Sequence, residues 1–243
     1  MRTLLLLVIF MVSVARDATA QDTQCVLERG AMVETIRAYA RSHLTVLGQQ
    51  GLSERVLEAV GKTQRHLFVP ERSCSIAYAD SPVSIGLGQT ISQLFIVALM
   101  TQLADVAPDD VVLEVGTGSG YQAAILARLA RKVCTIEIVP KLAEAAAKAL
   151  RDLGYDNVSV RLGDGYVGWR ECGPFDAIVV TAAVAEVPPP LIEQLKVGGR
   201  LVTPVGPAYT TQQLTVVEKI ASGQTTTRTV GLVRFVPFTR SQN

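Results

Sequence analysis

An excess of charge of either sign is missing from this chain. Its 23 lysines and arginines face 22 aspartates and glutamates, a formal net charge of +1. A nucleic-acid binder needs a basic surface for phosphates, so the simplest case for that class is excluded. Aromatic residues are scarce at 5%, too few for the stacking platforms that hold single strands. Histidine occurs only at His43 and His66, and the four cysteines form no C-x-x-C pair, so no metal site is expected. There is no internal repeat and no low-complexity linker. With 49% apolar and 19% charged residues, the chain is too apolar and too balanced in charge for disorder. Its 243 residues can bury a core without disulfide or metal staples.

A membrane-spanning run is missing as well. Arg2 precedes an apolar stretch from Leu4 to Val12, and Arg16 and Asp17 cut it short. A bilayer span needs about 18 apolar residues. Ala18-Thr19-Ala20 instead gives the small-x-small end of a secretory signal, and cleavage after Ala20 is expected. The leader holds two arginines and one aspartate, leaving 21 basic and 21 acidic residues over the remaining 223. The expected location is the periplasm, with no stable membrane association after cleavage. A cytoplasmic or membrane-tethered protein is the alternative if the leader is retained. Cys25, Cys74, Cys134 and Cys172 all follow the leader and allow three full pairings. Cys25 with Cys74 is the expected pair, and Cys134, inside the apolar stretch 133–136, reads as a buried unpaired thiol.

Three segments follow from the patterning: residues 1–20 as signal peptide, 21–107 as a helical N-terminal cap, and 108–243 as an α/β core. In the cap, Val33, Ile36, Ala40, Leu44 and Leu47 recur at helical spacing up to Gly48 and Gly51. Ser53 caps a short helix to Val60, and a further helix runs from about Ser92 to Asp105. Between them, Pro70 to Gly88 has no clear period. In the core, strands are predicted at 111–115, 133–138, 158–162, 175–181 and 200–205. Helices are predicted at 121–129, 141–153 and 190–195. Residues 214–219 and 229–235 form a closing antiparallel pair. Strands alternating with helices give a doubly wound, mostly parallel sheet, which binds ligands beyond the carboxyl ends of its strands.

Glu114-Val115-Gly116-Thr117-Gly118-Ser119-Gly120 leaves the first core strand and opens its helix. Glycines there permit the turn and let a ligand approach the backbone. Glu137 ends the second strand, where a carboxylate can accept both hydroxyls of a ribose. Asp164, in Gly163-Asp164-Gly165, follows the third, where it can accept an adenine amino hydrogen. Together they describe one nucleoside site. A dinucleotide fingerprint needs its third glycine one residue later, where Tyr121 stands. No Walker lysine is present, which disfavours ATP.

This triple resembles the S-adenosyl-L-methionine site of class I methyltransferases, as does the Gly198-Gly199 turn before Arg200 and Leu201. Arg65-His66-Leu67-Phe68-Val69-Pro70-Glu71, Ala77-Tyr78, the stretch Ile85 to Gln93, Thr181-Ala182-Ala183 and Val233-Arg234-Phe235-Val236-Pro237 are more specific. From about Met32 to Arg240 the chain closely resembles the protein-L-isoaspartate O-methyltransferases. The resemblance implies a Rossmann-like methyltransferase sheet with a helical N-terminal cap. It implies an enzyme that repairs damaged proteins by passing methyl from S-adenosyl-L-methionine to the free carboxylate of L-isoaspartyl residues, without metal. It makes Ser92 the active-site serine and Thr90, Ile91 and Ser92 the substrate residues. Gln89, Thr90, Glu114, Gly116, Thr117, Gly118, Gly120, Glu137, Asp164 and Gly165 become the cofactor residues. By itself a serine opening a helix is an N-cap, and the two roles can coexist. The family has proline where Leu94 stands, and leucine is expected to loosen that first turn.

A carboxylate is already ionised at neutral pH, so no strong base is required and catalysis should rest on positioning. The competing readings are a methyltransferase for small acids and a binding protein that has lost turnover. A base-methylating enzyme is disfavoured by Thr181-Ala182-Ala183. The protein is expected to act as a monomer on isoaspartyl proteins and peptides, with no nucleic-acid partner.

Overall fold

The computed structural model describes residues 2–42 and 51–240, with side chains from residue 22 onward. Leu44, Leu47, Gly48 and His43 lie outside the described residues. Helix α1 spans Arg2–Ser42 and α2 spans Glu54–Lys62. Ser53 caps α2 as expected, its side chain accepting the Val56 N–H. A 3₁₀ turn at Arg65–Phe68 and the short α3, Cys74–Ala77, lead into a hairpin of β1, Val83–Gly86, and β2, Gln89–Ile91. The sequence showed no period here because these strands have four and three residues, too few to establish alternation.

Helix α4, Leu94–Ala104, precedes the main sheet. The sheet consists of β3, Val111–Val115; β4, Lys132–Glu137; β5, Val158–Leu162; β6, Phe175–Val180; β7, Leu195–Val205; β8, Gln212–Ala221; and β9, Gln224–Val233. Helices α5, Tyr121–Ala127, α6, Pro140–Asp152, and α7, Pro189–Gln194, join its parallel strands. The order is β5-β4-β3-β6-β7-β8-β9, parallel through β7 and antiparallel across β8 and β9. The strand order reverses between β3 and β6, the place where such sheets open a ligand crevice.

The core divides at the sheet. Val112 joins one cluster, while Leu113 and Val115 join the other, as the two-residue period of a strand requires. The first cluster also takes Met32 and Ile36 from α1, Val56 from α2 and Leu99 from α4, so the N-terminal segment shares its core with the sheet. Leu94 opens α4 at 1% exposure and fills this core. Cys25 is joined to Cys74, as expected, which fastens α1 to α3. The reading of Cys134 as an unpaired thiol is corrected. It is joined to Cys172, because the loop before β6 brings the two Cα atoms to 6.6 Å, a separation that primary sequence does not reveal.

Candidate active site

The β3–α5 turn closes over the carboxyl ends of the strands. Gly116 adopts φ 99°, and a Cβ there would come within 2.5 Å of Thr181 Oγ1. Glycine is therefore required both by conformation and by contact. Thr181, just after β6, answers that close approach with a hydrogen bond from its hydroxyl to the Gly116 carbonyl oxygen at 2.7 Å. Glu137 ends β4 and reaches across to the same turn. The Gly118 N–H donates to its Oε2 at 2.7 Å, and the Val139 N–H donates to its Oε1 at 2.9 Å. One carboxylate thus fixes the glycine turn and the start of α6 together.

Two cavities meet here. A narrow cleft is lined by Gln89, Gly116, Gly118, Glu137, Gly165 and Phe238, among others. A wider cavity of about 350 Å³ is lined by Ser92, Gln93, Ile96, Arg234 and Phe235, among others. Thr90, Thr181 and Val236 line both and form the wall between them. They come from the β2 strand, the end of β6 and the C-terminal segment, so the site joins three distant parts of the sequence.

The expected residues divide accordingly. Of the expected cofactor residues, Gln89, Thr90, Gly116, Gly118, Glu137 and Gly165 line the narrow cleft; Ser92 lines the wider cavity. Ser92 is not the N-cap of α4: Gln93 holds that position, without a side-chain cap bond, and is itself bonded to Asp80. Ile91 is 6% exposed and packs into the core instead of facing either cavity. Three expected cofactor residues lie beneath the cleft. Gly120 is the buried N-cap of α5. The Thr117 hydroxyl bonds Thr135 at 2.6 Å, and Thr135 in turn donates to Glu114 Oε2 at 2.6 Å. Glu114 is fully buried because strand alternation turns it away from the cleft that Val115 lines. Burial pushes its carboxyl up to about 8, partly offset by the Thr135 bond. Asp164 sits beside the cleft, accepting the Tyr166 N–H at 2.9 Å and the Arg240 Nε–H at 2.8 Å, while Arg240 stacks on the Tyr166 ring.

Sequence reasoning assigned no site role to Thr181, Val236 or Phe238. The Val233–Pro237 and Thr181–Ala183 motifs were the signal for the first two. Behind the wider cavity, Arg65 is completely buried. It donates to the carbonyl oxygens of Ala77 at 2.8 Å and Ser92 at 2.9 Å, and it lies over the Tyr121 ring. Burial lowers its pKa from the ordinary arginine value. His66 packs in the interior with its Nδ1 bonded to the Tyr78 hydroxyl, and burial lowers its pKa. Among the described residues, one group with metal-ligand character is present, Cys25, His66 and Cys74, and its two sulfurs are consumed in the disulfide.

The parallel sheet, the glycine turn and the carboxylate at the end of β4 give a Rossmann-like nucleoside-binding architecture, and the matches to known proteins make it that of a class I methyltransferase. Residues 40–243 match the sequence profile of the protein-L-isoaspartate(D-aspartate) O-methyltransferase family. The chain is 57% identical over 208 residues to protein-L-isoaspartate O-methyltransferase 2 of Polaromonas sp. strain JS666, covering 86% of this chain and 99% of the relative. It is 51% identical over 235 residues to protein-L-isoaspartate O-methyltransferase 2 of Syntrophobacter fumaroxidans, covering 96% and 95%. A Plasmodium falciparum structure described as a protein-L-isoaspartate O-methyltransferase, in complex with S-adenosyl-L-homocysteine, superimposes with a TM-score of 0.72 at 25% identity. That match covers 87% of this chain and 98% of the other. The chain belongs to the protein-L-isoaspartate(D-aspartate) O-methyltransferase family. It is an enzyme that methylates isoaspartyl residues of damaged proteins.

Proposed function

We propose that the narrow cleft is the donor cleft, taking S-adenosyl-L-methionine, and that the wider cavity is the acceptor cavity, taking the isoaspartyl segment of a damaged protein. The observation that carries this reading is the wall of Thr90, Thr181 and Val236 common to both cavities. The residues fit such a donor. The Gly116–Gly118 backbone admits close approach, Glu137 presents a carboxylate to ribose hydroxyls, and Asp164 lies where an adenine edge would reach. Bound there, S-adenosyl-L-methionine supplies an electrophilic methyl group. Ser92 donates a hydrogen bond that orients the isoaspartyl carboxylate, and Thr90 and Thr181 keep the wall uncharged, so that the nucleophile is not blunted by a cation. The carboxylate is ionised at neutral pH, and catalysis consists of positioning and exclusion of water.

Methyl transfer to an isoaspartyl peptide and to its aspartyl twin tests this reading. Transfer is expected with the first alone. Ser92→Ala should lower kcat/KM for the peptide about tenfold or more, the loss of one oriented hydrogen bond, while the dissociation constant for S-adenosyl-L-homocysteine stays within about twofold. Equal transfer to both peptides would sink the assignment.

The enzyme is further proposed to be a monomer of the periplasm, released by cleavage after Ala20, with no nucleic-acid partner. Two disulfides, Cys25–Cys74 and Cys134–Cys172, support an oxidising compartment. Among the described residues no helix is long and apolar enough to cross a membrane. Mass spectrometry of the soluble envelope fraction should find a chain beginning at Gln21. An uncleaved chain confined to the cytoplasm or the membrane would overturn the location.

A further inference from the structure

The acceptor cavity is lined by hydroxyl, amide and apolar side chains, with one exception. Arg234 is its single charged lining residue. It follows Val233, the last residue of β9, and is exposed where Val233 is buried. Arg240, the other arginine of this C-terminal segment, is already paired with Asp164. Arg234 makes no ion pair among the described residues. A cation with no ion-pair partner among the described residues, set at the mouth of a cavity that must receive a peptide, is placed to pair with the ligand.

Which ligand charge it meets follows from its place. Val236, two residues further on, lines both cavities, whereas Arg234 lines the acceptor cavity alone. Arg234 is exposed whereas Ser92 is half-buried, which sets Arg234 at the rim of the cavity and Ser92 deeper within it. Its lining neighbours include Leu232, 74% exposed, and the half-buried Phe235, an apolar rim over which the side chains of flanking residues would pass.

We infer that Arg234 is a specificity-determining residue that favours isoaspartyl sites with an aspartate or glutamate close in sequence. The inference rests on the methyltransferase reading above and adds a substrate preference that the neutral composition of the chain conceals. A partly exposed ion pair at a rim is worth roughly 1 kcal/mol, about fivefold in kcat/KM. It should weaken as salt shortens the reach of the charge.

The test uses the full mature chain and three isoaspartyl peptides that differ only in one flanking residue, glutamate, glutamine or lysine. The wild type should favour glutamate over glutamine, and glutamine over lysine, at an ionic strength of about 20 mM, and should lose most of that order at about 500 mM. Arg234→Gln should bring the three kcat/KM values together, and Arg234→Glu should invert the order. Melting temperature and S-adenosyl-L-homocysteine affinity confirm that each variant is folded. A wild type indifferent to the flanking charge would overturn the inference. So would an Arg234→Gln variant that loses activity equally on all three peptides, which would place the guanidinium on the reacting carboxylate. Absence of methylation of every isoaspartyl peptide by the wild type is a different result, and it would strike the function itself.

Discussion

Replacing Glu137 with alanine should weaken S-adenosyl-L-homocysteine binding about 100-fold, measured by titration calorimetry. Both oxygens of this carboxylate accept backbone N–H bonds, from Gly118 and from Val139. The same side chain lines the donor cleft. Alanine therefore removes a ligand contact and releases the turn that shapes the cleft. A hydrogen bond to a charged group contributes about 1.5–3 kcal/mol, so losing the ligand contact and part of the turn's order gives roughly 3 kcal/mol. Glu137→Gln keeps the shape and one good acceptor, and it should cost about tenfold. An alanine variant with a dissociation constant within threefold of the wild type would show that the donor binds elsewhere.

The second large effect concerns stability instead of catalysis. Glu114 is fully buried, and its carboxyl is pushed up to about 8 from an ordinary value of 4.5. In the folded protein it holds its proton at neutral pH, whereas the unfolded chain releases it near pH 4.5. The folded state thus binds more protons between those values, and stability must fall as pH rises through that window. The full advantage is present below about pH 4.5 and is gone above about pH 8. One pKa unit corresponds to about 1.4 kcal/mol, so the window spans about 3–5 kcal/mol, or about 10 °C in Tm for a chain of this size. Glu114→Gln has no proton to lose and can still accept the Thr135 bond. Its Tm should exceed that of the wild type at pH 8.5 and change less between pH 5 and 8.5. Scanning calorimetry with superimposable pH profiles for both proteins would refute the assignment of Glu114 as the buried acid responsible.

Both residues were visible in the sequence, yet only one had a legible role. Strands β3 and β5 occur at the residues expected because one is a short, mostly apolar run and the other alternates Val158, Val160 and Leu162 with polar residues, each between clear breakers, Pro108 and Gly116 around one, Gly154 and Gly163 around the other. Glu137 was legible for the same reason: the end of a strand in a parallel sheet faces the crevice. Glu114 carries the same carboxylate one position short of a strand end, and that single step turns it into the core. The Cys134–Cys172 link and the buried Arg65 behind Ser92 depend on contacts between residues 38 and 27 positions apart, which local pattern does not encode. The acceptor cavity was the least legible part. It is assembled from the β1–β2 hairpin and the segment after β9, two stretches without periodicity, and the family motifs were the only sign that they belong together.

That assembly has a consequence for how the site can be broken. The glycine turn and Glu137 belong to the sheet and its first crossover, whereas Val236 and Phe238 belong to the segment after β9. A chain clipped after β9 keeps most of the donor cleft and lacks part of the wall that divides donor from acceptor. The segment after β9, although outside the sheet, is thus a working part of the site and not a dispensable tail.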